Sequence, residues 1–388
     1  MEFQFYAPTK VVFGKDSHKQ VGTLLKEYNA KKVLVHYGQN SVVKSGLLDE
    51  VLNCIKAQGI EYICLGGVQP NPRLSLVEKG IELVKANDID FLLAVGGGSV
   101  IDSCKAIGYG VLNEGDLRDY YLKKKSVKAC MPVGCILTIA AAGSEMSESS
   151  VISNEETKQK RGLSSDTSRL KFSILNPELT YTLPPYQSMS GCVDIMMHTF
   201  ERYFTHKPND LQSMFALTLL KNIVKHAPII LKDPTNYESR AQIMWSSTMS
   251  HNDVTGSRVH GDWACHQLEH ELSAMFDVAH GAGLAAIWTS WAYYVYEENI
   301  ARFALYAKEV FDICEEDEKL CAIKGIEATK AFFKAIDMPV CISDMNVEVN
   351  DEIIKELAYR CTYEQTRTIG KFKVLDIHDI EQIYKNAR

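Results

Sequence analysis

Between Lys10 and Ile139 short apolar runs alternate with amphipathic stretches, and this alternation restricts the fold more than any other feature of the chain. KVVFG (10–14), KKVLVHYG (31–38), EYICLGG (61–67), DFLLAVGGG (90–98) and KACMPVGCILTI (128–139) have the length and β-branched content of strands. VLNCIKAQG (51–59) and LSLVEKGIELVKAND (74–88) carry apolar residues at helical spacing. Strands that are apolar on both faces and separated by helices predict βαβ units and a parallel sheet. The pattern changes at LPPYQ (183–187). Beyond it come long helical stretches, MFALTLLKNIVKHAPIIL (214–231), IARFALYAKEVFDIC (300–314) and CAIKGIEATKAFFKAI (321–336), with few strand signals. The expected organisation is an α/β unit over residues 1–185 and an all-helical unit over 186–388, about two domains for 388 residues.

Composition narrows the function classes. The chain is 46% hydrophobic and 23% charged, ordinary for a globular protein. A net charge of −7 opposes nucleic-acid binding, which favours a basic surface. The 11 cysteines include no Cys-x-x-Cys pair and sit among apolar neighbours, the pattern of free thiols in a reducing compartment. The start, MEFQFYAPTKVVFG, lacks a basic region followed by an apolar run, and no uninterrupted apolar stretch is long enough for a bilayer. A cytoplasmic protein without a membrane partner is expected.

The run FLLAVGGGSVIDSCKAIGYG places Gly96, Gly97, Gly98 and Ser99 between an apolar strand and a helix. Glycine lets a ligand approach the backbone, and the unpaired N–H groups and positive dipole end of a helix suit a pyrophosphate. The spacing is not G-x-G-x-x-G. A second small-residue stretch, Thr138 followed by Ala140–Ala141–Ala142–Gly143–Ser144, leaves room for a flat ring or a ribose. At the end of KKVLVHYG, where dinucleotide folds often carry an acid against the ribose 2′-hydroxyl, the residues are Gly38, Gln39, Asn40 and Ser41. No carboxylate there repels a 2′-phosphate, so NADP(H) is permitted.

Asp194 and His198 stand four residues apart in GCVDIMMHTF, a spacing that shares one helix face and can grip a divalent ion. His266, His270 and His280 follow in CHQLEHELSAMFDVAHGAG. His266 and His270 are again an i,i+4 pair, and His280 precedes Gly281-Ala282-Gly283 at an expected helix start. Spacing leaves open which three imidazoles join the carboxylate. One carboxylate with three neutral imidazoles suits Fe(II) or Zn(II), with Mn, Co or Ni as further divalent alternatives. Trp263 and Phe276 are candidates for an apolar pocket, or for ordinary helix packing.

Together GGGSVID (96–102), AAAGSE (140–145), LPPYQ…GCVDIMMHTFE and DWACHQLEHELSAMFDVAHG resemble the iron-containing (group III) alcohol dehydrogenases, on their NADPH-dependent butanol dehydrogenase and aldehyde reductase branch. The resemblance runs from FYAPTKVVFG to the C-terminal helices and implies a dehydroquinate synthase-like fold, a Rossmann-like domain joined to a helical one. It implies metal ligation by Asp194, His198, His266 and His280, which leaves His270 as a relay or pocket residue. It implies nucleotide contacts at Gly97, Gly98, Ser99, Asp102, Thr138, Ser147 and Lys160, with Gly38 and Ser41 matching NADP preference. The implied reaction is reversible hydride transfer between NADP(H) and a short primary alcohol or aldehyde such as butanol or butanal, in a homodimer. NAD(H) is the alternative nucleotide. The competing readings are a metal- and NAD-dependent lyase or synthase of the dehydroquinate synthase type, which needs basic residues for an anionic substrate that VDIMMHTFE does not supply, and a non-catalytic metal- or nucleotide-binding protein.

Overall fold

The structure is a computed structural model describing residues 2–388. The described residues form two compact units that divide between Thr182 and Leu183, the first residues up to Phe5 grouping with the second unit.

The unit Tyr6–Thr182 is built on a six-stranded parallel sheet. In chain order its strands are β1 (Lys10–Phe13), β2 (Lys32–Gly38), β3 (Glu61–Val68), β4 (Phe91–Gly96) and β5 (Val133–Leu137), with a hairpin of β6 (Ser149–Asn154) and β7 (Gln159–Ser164) preceding β8 (Phe172–Leu175). The spatial order is β1-β8-β5-β4-β2-β3. All six positions of β4 are buried, as expected for a strand covered on both faces. The helix Leu47–Ala57 contributes Leu47, Leu48, Val51 and Ile55 to a core that also holds Val33, Val35, Phe91, Leu93 and Phe172. From β2 the chain moves outward to β3 and then returns to place β4 on the other side of β2. This reversal lies at the carboxyl ends of β2 and β4, the position where open α/β sheets bind ligands.

Five strands match apolar runs read from the sequence. The hairpin and β8 do not. SSVISN and QKRGLS contain only Val151, Ile152 and Leu163 as apolar side chains, too few for a period-of-two signal. FSIL is four residues long and becomes a strand because it pairs with β1 on one side and β5 on the other. The hairpin turn is chemically specified: Asn154 Oδ1 accepts from the N–H groups of Glu156 and Thr157, and Lys158 adopts φ 50°.

The second unit is helical, its one described β-type pairing being an isolated bridge between Ile369 and Leu375. Its centre is the helix Pro185–Tyr203, opened by proline at its first position and buried at every residue from Ser188 to Tyr203. The helices Asp210–Lys232, Tyr237–Ser250, Ala264–Phe276 and His280–Val295 pack around it. Stacked rings consolidate the core, with Phe200 and Trp288 centroids 5.0 Å apart and Phe204 and Phe303 4.2 Å apart. Asp210–Lys232 is also the one described helix long and apolar enough, by composition, to cross a membrane; here it packs Ala216, Leu220, Ile223 and Ala227 against its neighbours.

Candidate active site

Three helices deliver the histidines. Asp194 and His198 lie one turn apart on the buried helix Pro185–Tyr203. His266 sits in the first turn of Ala264–Phe276, and His280 is the first residue of His280–Val295, the break expected from the sequence. Glycine permits the approach of this last helix. A Cβ at Gly281 would lie 2.0 Å from the Ser190 carbonyl oxygen, and one at Gly283 would lie 2.8 Å from Glu269 Cγ. Ahead of His266 the chain turns through Trp263, a non-glycine residue at φ 61°, a conformation that costs about 1–3 kcal/mol. The Trp263 indole N–H donates to the Arg258 carbonyl at 3.0 Å, and the Arg202 guanidinium lies 4.8 Å from its ring.

Three imidazole nitrogens converge on one carboxylate oxygen. Asp194 Oδ1 lies 3.3 Å from His198 Nε2, 3.9 Å from His266 Nε2 and 3.9 Å from His280 Nε2. Donors bound to a single ion at about 2.1 Å stand roughly 3.4 Å apart in a tetrahedron, so the spacing fits one divalent ion. Two further observations agree with that fit. His266 Nε2 is buried without a hydrogen-bond partner, an arrangement costing about 1–3 kcal/mol unless something else occupies the lone pair. Burial, reinforced by His251, His266, Arg202 and His280, pushes the His198 pKa well below its ordinary value, so its ring is neutral and able to ligate.

The structure adds two carboxylates that the sequence reading did not single out. Glu201 Oε1 accepts both the backbone N–H and the Nδ1–H of His266, each at 3.0 Å. Glu269, wholly buried, accepts from His280 Nδ1 and from the Ser273 hydroxyl. A carboxylate only accepts, so each imidazole carries its proton on Nδ1 and turns the Nε2 lone pair inward. Carboxylate–histidine pairs of this kind fix ring orientation and raise the basicity of a ligand. One signal was available in the sequence: Glu201 follows Asp194 by seven residues, two helical turns on the same face. His251 is a third addition, its ring stacked on His198 at 4.0 Å between centroids.

His270 lies one turn beyond His266, half-buried, with its ring 6.5 Å from that of His266 and 5.7 Å from that of His280. It groups with Glu269 and His280, whereas Asp194, His198 and His266 form the fully buried set. Trp263 stands edge-on to His198 at 6.0 Å and to His266 at 5.5 Å, which places it beside the imidazoles.

In the sheet unit, the glycine turn and the small-residue stretch meet at adjacent strand ends. Gly38 closes β2, Gly96 closes β4, and the Thr138 N–H just beyond β5 donates to the Gly96 carbonyl at 3.1 Å. Ser41 begins the short helix Ser41–Lys44. The helix Gly98–Leu112 starts with Gly97 at its cap, in extended conformation and without a side-chain cap. None of Gly96, Gly97 and Gly98 has positive φ, so backbone conformation does not require glycine at any of them. A Cβ at Gly96 would lie 2.4 Å from Val100 Cγ2, and at Gly97 3.1 Å from Ile139. At Gly98 its nearest neighbour would be Ala142 Cβ at an ordinary 3.4 Å, so protein packing does not require glycine there. The missing side chain keeps the first N–H groups of the helix, including that of Ser99, open to a ligand.

Three other residues expected at the nucleotide have protein partners. Asp102 accepts from Ser144 Oγ at 2.6 Å and from the Val151 N–H at 2.9 Å, one with each carboxylate oxygen. Ser147 is fully buried, its hydroxyl within 3.4 Å of Lys105 Nζ. Lys160 is buried on β7 and stabilises the ionised form of Asp102, whose pKa burial nevertheless raises.

Comparison with known proteins places this architecture. The profile of the iron-containing alcohol dehydrogenases matches residues 8–177, and that of the C-terminal region of the Fe-containing alcohol dehydrogenase family matches residues 188–388. The chain is 40% identical over 387 residues to a probable NADH-dependent butanol dehydrogenase of Bacillus subtilis, covering 99% of this chain and 98% of that one. It is 36% identical over 394 residues to an NADPH-dependent aldehyde reductase of Escherichia coli, covering 100% of this chain and 99% of that one. The crystal structure of an NADH-dependent butanol dehydrogenase A from Thermotoga maritima superimposes with a TM-score of 0.96 at 37% identity, over 100% of this chain and 98% of that one. The chain therefore belongs to the iron-containing alcohol dehydrogenase family.

Proposed function

We propose that this chain is a metal-dependent alcohol dehydrogenase and aldehyde reductase that transfers hydride reversibly between NADP(H) and a short primary alcohol or aldehyde, butanol and butanal being representative. The observation that carries the reading is the convergence of three Nε2 atoms on Asp194 Oδ1, two of them backed by buried glutamates. Asp194, His198, His266 and His280 would hold Fe(II) or Zn(II). When bound, the ion supplies Lewis acidity toward the substrate oxygen and the nicotinamide supplies the hydride.

The chain's own residues do the rest. Glu201 and Glu269 keep His266 and His280 in the tautomer that ligates. Trp263 and His251 shield the histidines from water, which strengthens electrostatic interaction there. His270 is the candidate to hand a proton to the product oxygen, since its half-buried ring stands beside those of His266 and His280. Gly97, Gly98, Ser99 and Thr138 receive the dinucleotide at the β2/β4 reversal, with Gly38 and Ser41 toward the adenosine ribose. The absence of a carboxylate from Gly38 to Ser41 supports NADP(H), while the names of the relatives include both NADH- and NADPH-dependent enzymes. A cytoplasmic homodimer completes the proposal, the parallel edge strand β1 offering a pairing edge.

Metal-loaded protein mixed with butanal and NADPH or NADH tests the reading through nicotinamide absorbance. Oxidation of the nucleotide is expected, faster with NADPH. No oxidation with either nucleotide and any short aldehyde, from protein shown to contain a stoichiometric ion, sinks the dehydrogenase reading in favour of a synthase or a non-catalytic binder.

A further inference from the structure

The helix that opens with the glycine turn carries a lysine with no place in the chemistry so far. Lys105 is fully buried, and its hydrogen bonds go to carbonyl and hydroxyl oxygens rather than to a carboxylate. Its Nζ donates instead to three backbone carbonyls, of Ser144 at 2.8 Å, Ser147 at 2.9 Å and Ser149 at 2.7 Å. The hydroxyls of Ser144 and Ser147 lie at 3.1 and 3.4 Å. An ammonium has three protons, and here each has a carbonyl. Burial lowers the Lys105 pKa, an effect opposed by the nearby charges of Asp102, Glu148 and Glu145.

Two of the carbonyls, of Ser144 and Ser147, belong to the stretch with no regular structure between the end of β5 at Leu137 and the start of β6, and the third is that of Ser149, the first residue of β6. Two other contacts tether its middle: Ser173 Oγ donates to the Glu145 carbonyl at 2.8 Å and Arg169 Nη1 to the Met146 carbonyl at 2.8 Å. Lys105 bonds both flanks of that middle, at Ser144 and at Ser147. One helical turn earlier, Asp102 fastens the same segment through Ser144 Oγ and the Val151 N–H. The two charges stand at i and i+3 on one face of the helix, one accepting and one donating, so the segment is held to the helix by complementary bonds. The segment also borders Gly98, where an added Cβ would lie 3.4 Å from Ala142 Cβ and 4.0 Å from Ser144 Cβ. Whatever sets the path of residues 140–149 therefore sets the width of the space in front of the helix N-terminus.

We propose that Lys105 is a positioning residue for the dinucleotide: a built-in cation that gathers the Ser144, Ser147 and Ser149 carbonyls and so shapes the wall facing Gly98. The inference rests on the dinucleotide reading of that turn. It differs from the usual role of a lysine beside a nucleotide, because this ammonium is saturated by carbonyls and does not reach a phosphate. Affinity for the nucleotide depends on it, and hydride transfer from bound nucleotide does not.

The test uses full-length, metal-loaded protein with NADPH and NADH as probes, read by nicotinamide fluorescence on binding. Lys105→Met keeps the length and removes the charge and donors; it is expected to raise the dissociation constant about tenfold to a hundredfold, with kcat at saturating nucleotide changed less than about threefold. Lys105→Ala leaves a carbonyl-lined space, and ammonium or methylammonium ions are expected to restore nucleotide affinity in it while tetramethylammonium does not. Unchanged affinity in folded Lys105→Met overturns the inference, as does an equal fall in affinity and kcat that ammonium fails to relieve. If both variants fail to fold, Lys105→Arg decides: weaker nucleotide binding at an unchanged unfolding temperature supports the role, and unchanged binding overturns it. A wild-type protein that binds neither nucleotide overturns the dinucleotide reading itself, an outcome distinguishable from a wild type that binds while Lys105→Met binds equally well.

Discussion

Replacing Glu201 by glutamine isolates the contribution of the carboxylate behind His266. The side chain keeps its shape and an acceptor oxygen, but loses its charge. In the wild type a single oxygen receives two N–H groups of His266, both at 3.0 Å, inside a buried setting. A hydrogen bond to a charged acceptor contributes about 1.5–3 kcal/mol against about 1 kcal/mol for a neutral one, so the exchange weakens the hold on ring and backbone by roughly 0.5–2 kcal/mol per bond. The amide also lowers the basicity of Nε2, and carboxylates of this kind influence metal affinity by about 10–100-fold. The expected outcome is a metal dissociation constant raised by that factor, measured by titrating apo-protein with Co(II) against a competing chelator. Nucleotide binding, which we assign by proposal to residues of the other unit, should be unchanged. A second readout comes from Asp262. Its carboxyl is pushed up to about 7 by burial and by the neighbouring Glu201 charge, so removing that charge should lower it. A metal affinity within about twofold of wild type, in a variant whose Asp262 pKa has fallen, would falsify the view that Glu201 tunes the ligand, since the charge would demonstrably be gone without effect.

Three further outcomes are expected. Gly98→Ala should fold normally, because its Cβ meets Ala142 at 3.4 Å and Ser144 at 4.0 Å, both ordinary contacts, yet bind nucleotide about tenfold or more weakly, whereas Gly96→Ala, whose Cβ would be 2.4 Å from Val100, should lose about 1–3 kcal/mol of stability; wild-type nucleotide affinity in Gly98→Ala removes the helix N-terminus from the binding site. His36 is buried between the Leu65 carbonyl at 2.7 Å and Ser103 Oγ at 2.8 Å, and burial lowers its pKa from 6.5 to about 4. The unfolded chain therefore binds the extra proton between those values, so stability is full above about pH 6.5 and falls by roughly 3 kcal/mol as the pH drops toward 4; His36→Gln should flatten that segment of a urea-stability profile, and an unchanged slope refutes the assignment. His270→Ala should retain bound metal but lose activity in a pH-dependent way, and full activity across about pH 5–9 excludes the relay role.

The sequence carried its information unevenly, for physical reasons. Apolar runs such as FLLAVG announced buried strands because side chains covered on both faces must all be apolar. The Pro184–Pro185 pair and the helical periods after it were legible because proline interrupts regular structure and amphipathic helices repeat with a fixed period. The i,i+4 pair Asp194/His198 was readable because both members lie on one helix, where geometry follows directly from spacing. The hairpin β6–β7 was not readable, since its strands are mostly polar and their order comes from cross-strand pairing and from attachment to Asp102.

What the sequence by itself determined is the set of locally encoded features: the α/β-then-α order, the glycine turn at a strand end, and the residue types able to hold a divalent ion. Tertiary structure alone decided which histidines meet. His266 and His270 are equivalent by spacing, and only the packing of three helices, closed by the contact of Gly281 with Ser190, turns His198, His266 and His280 toward Asp194. The same holds for the supporting charges. Glu201, Glu269 and Lys105 look like ordinary helix residues in the sequence, because a buried charge is defined by its partners, and those partners come from segments brought together only when the chain folds.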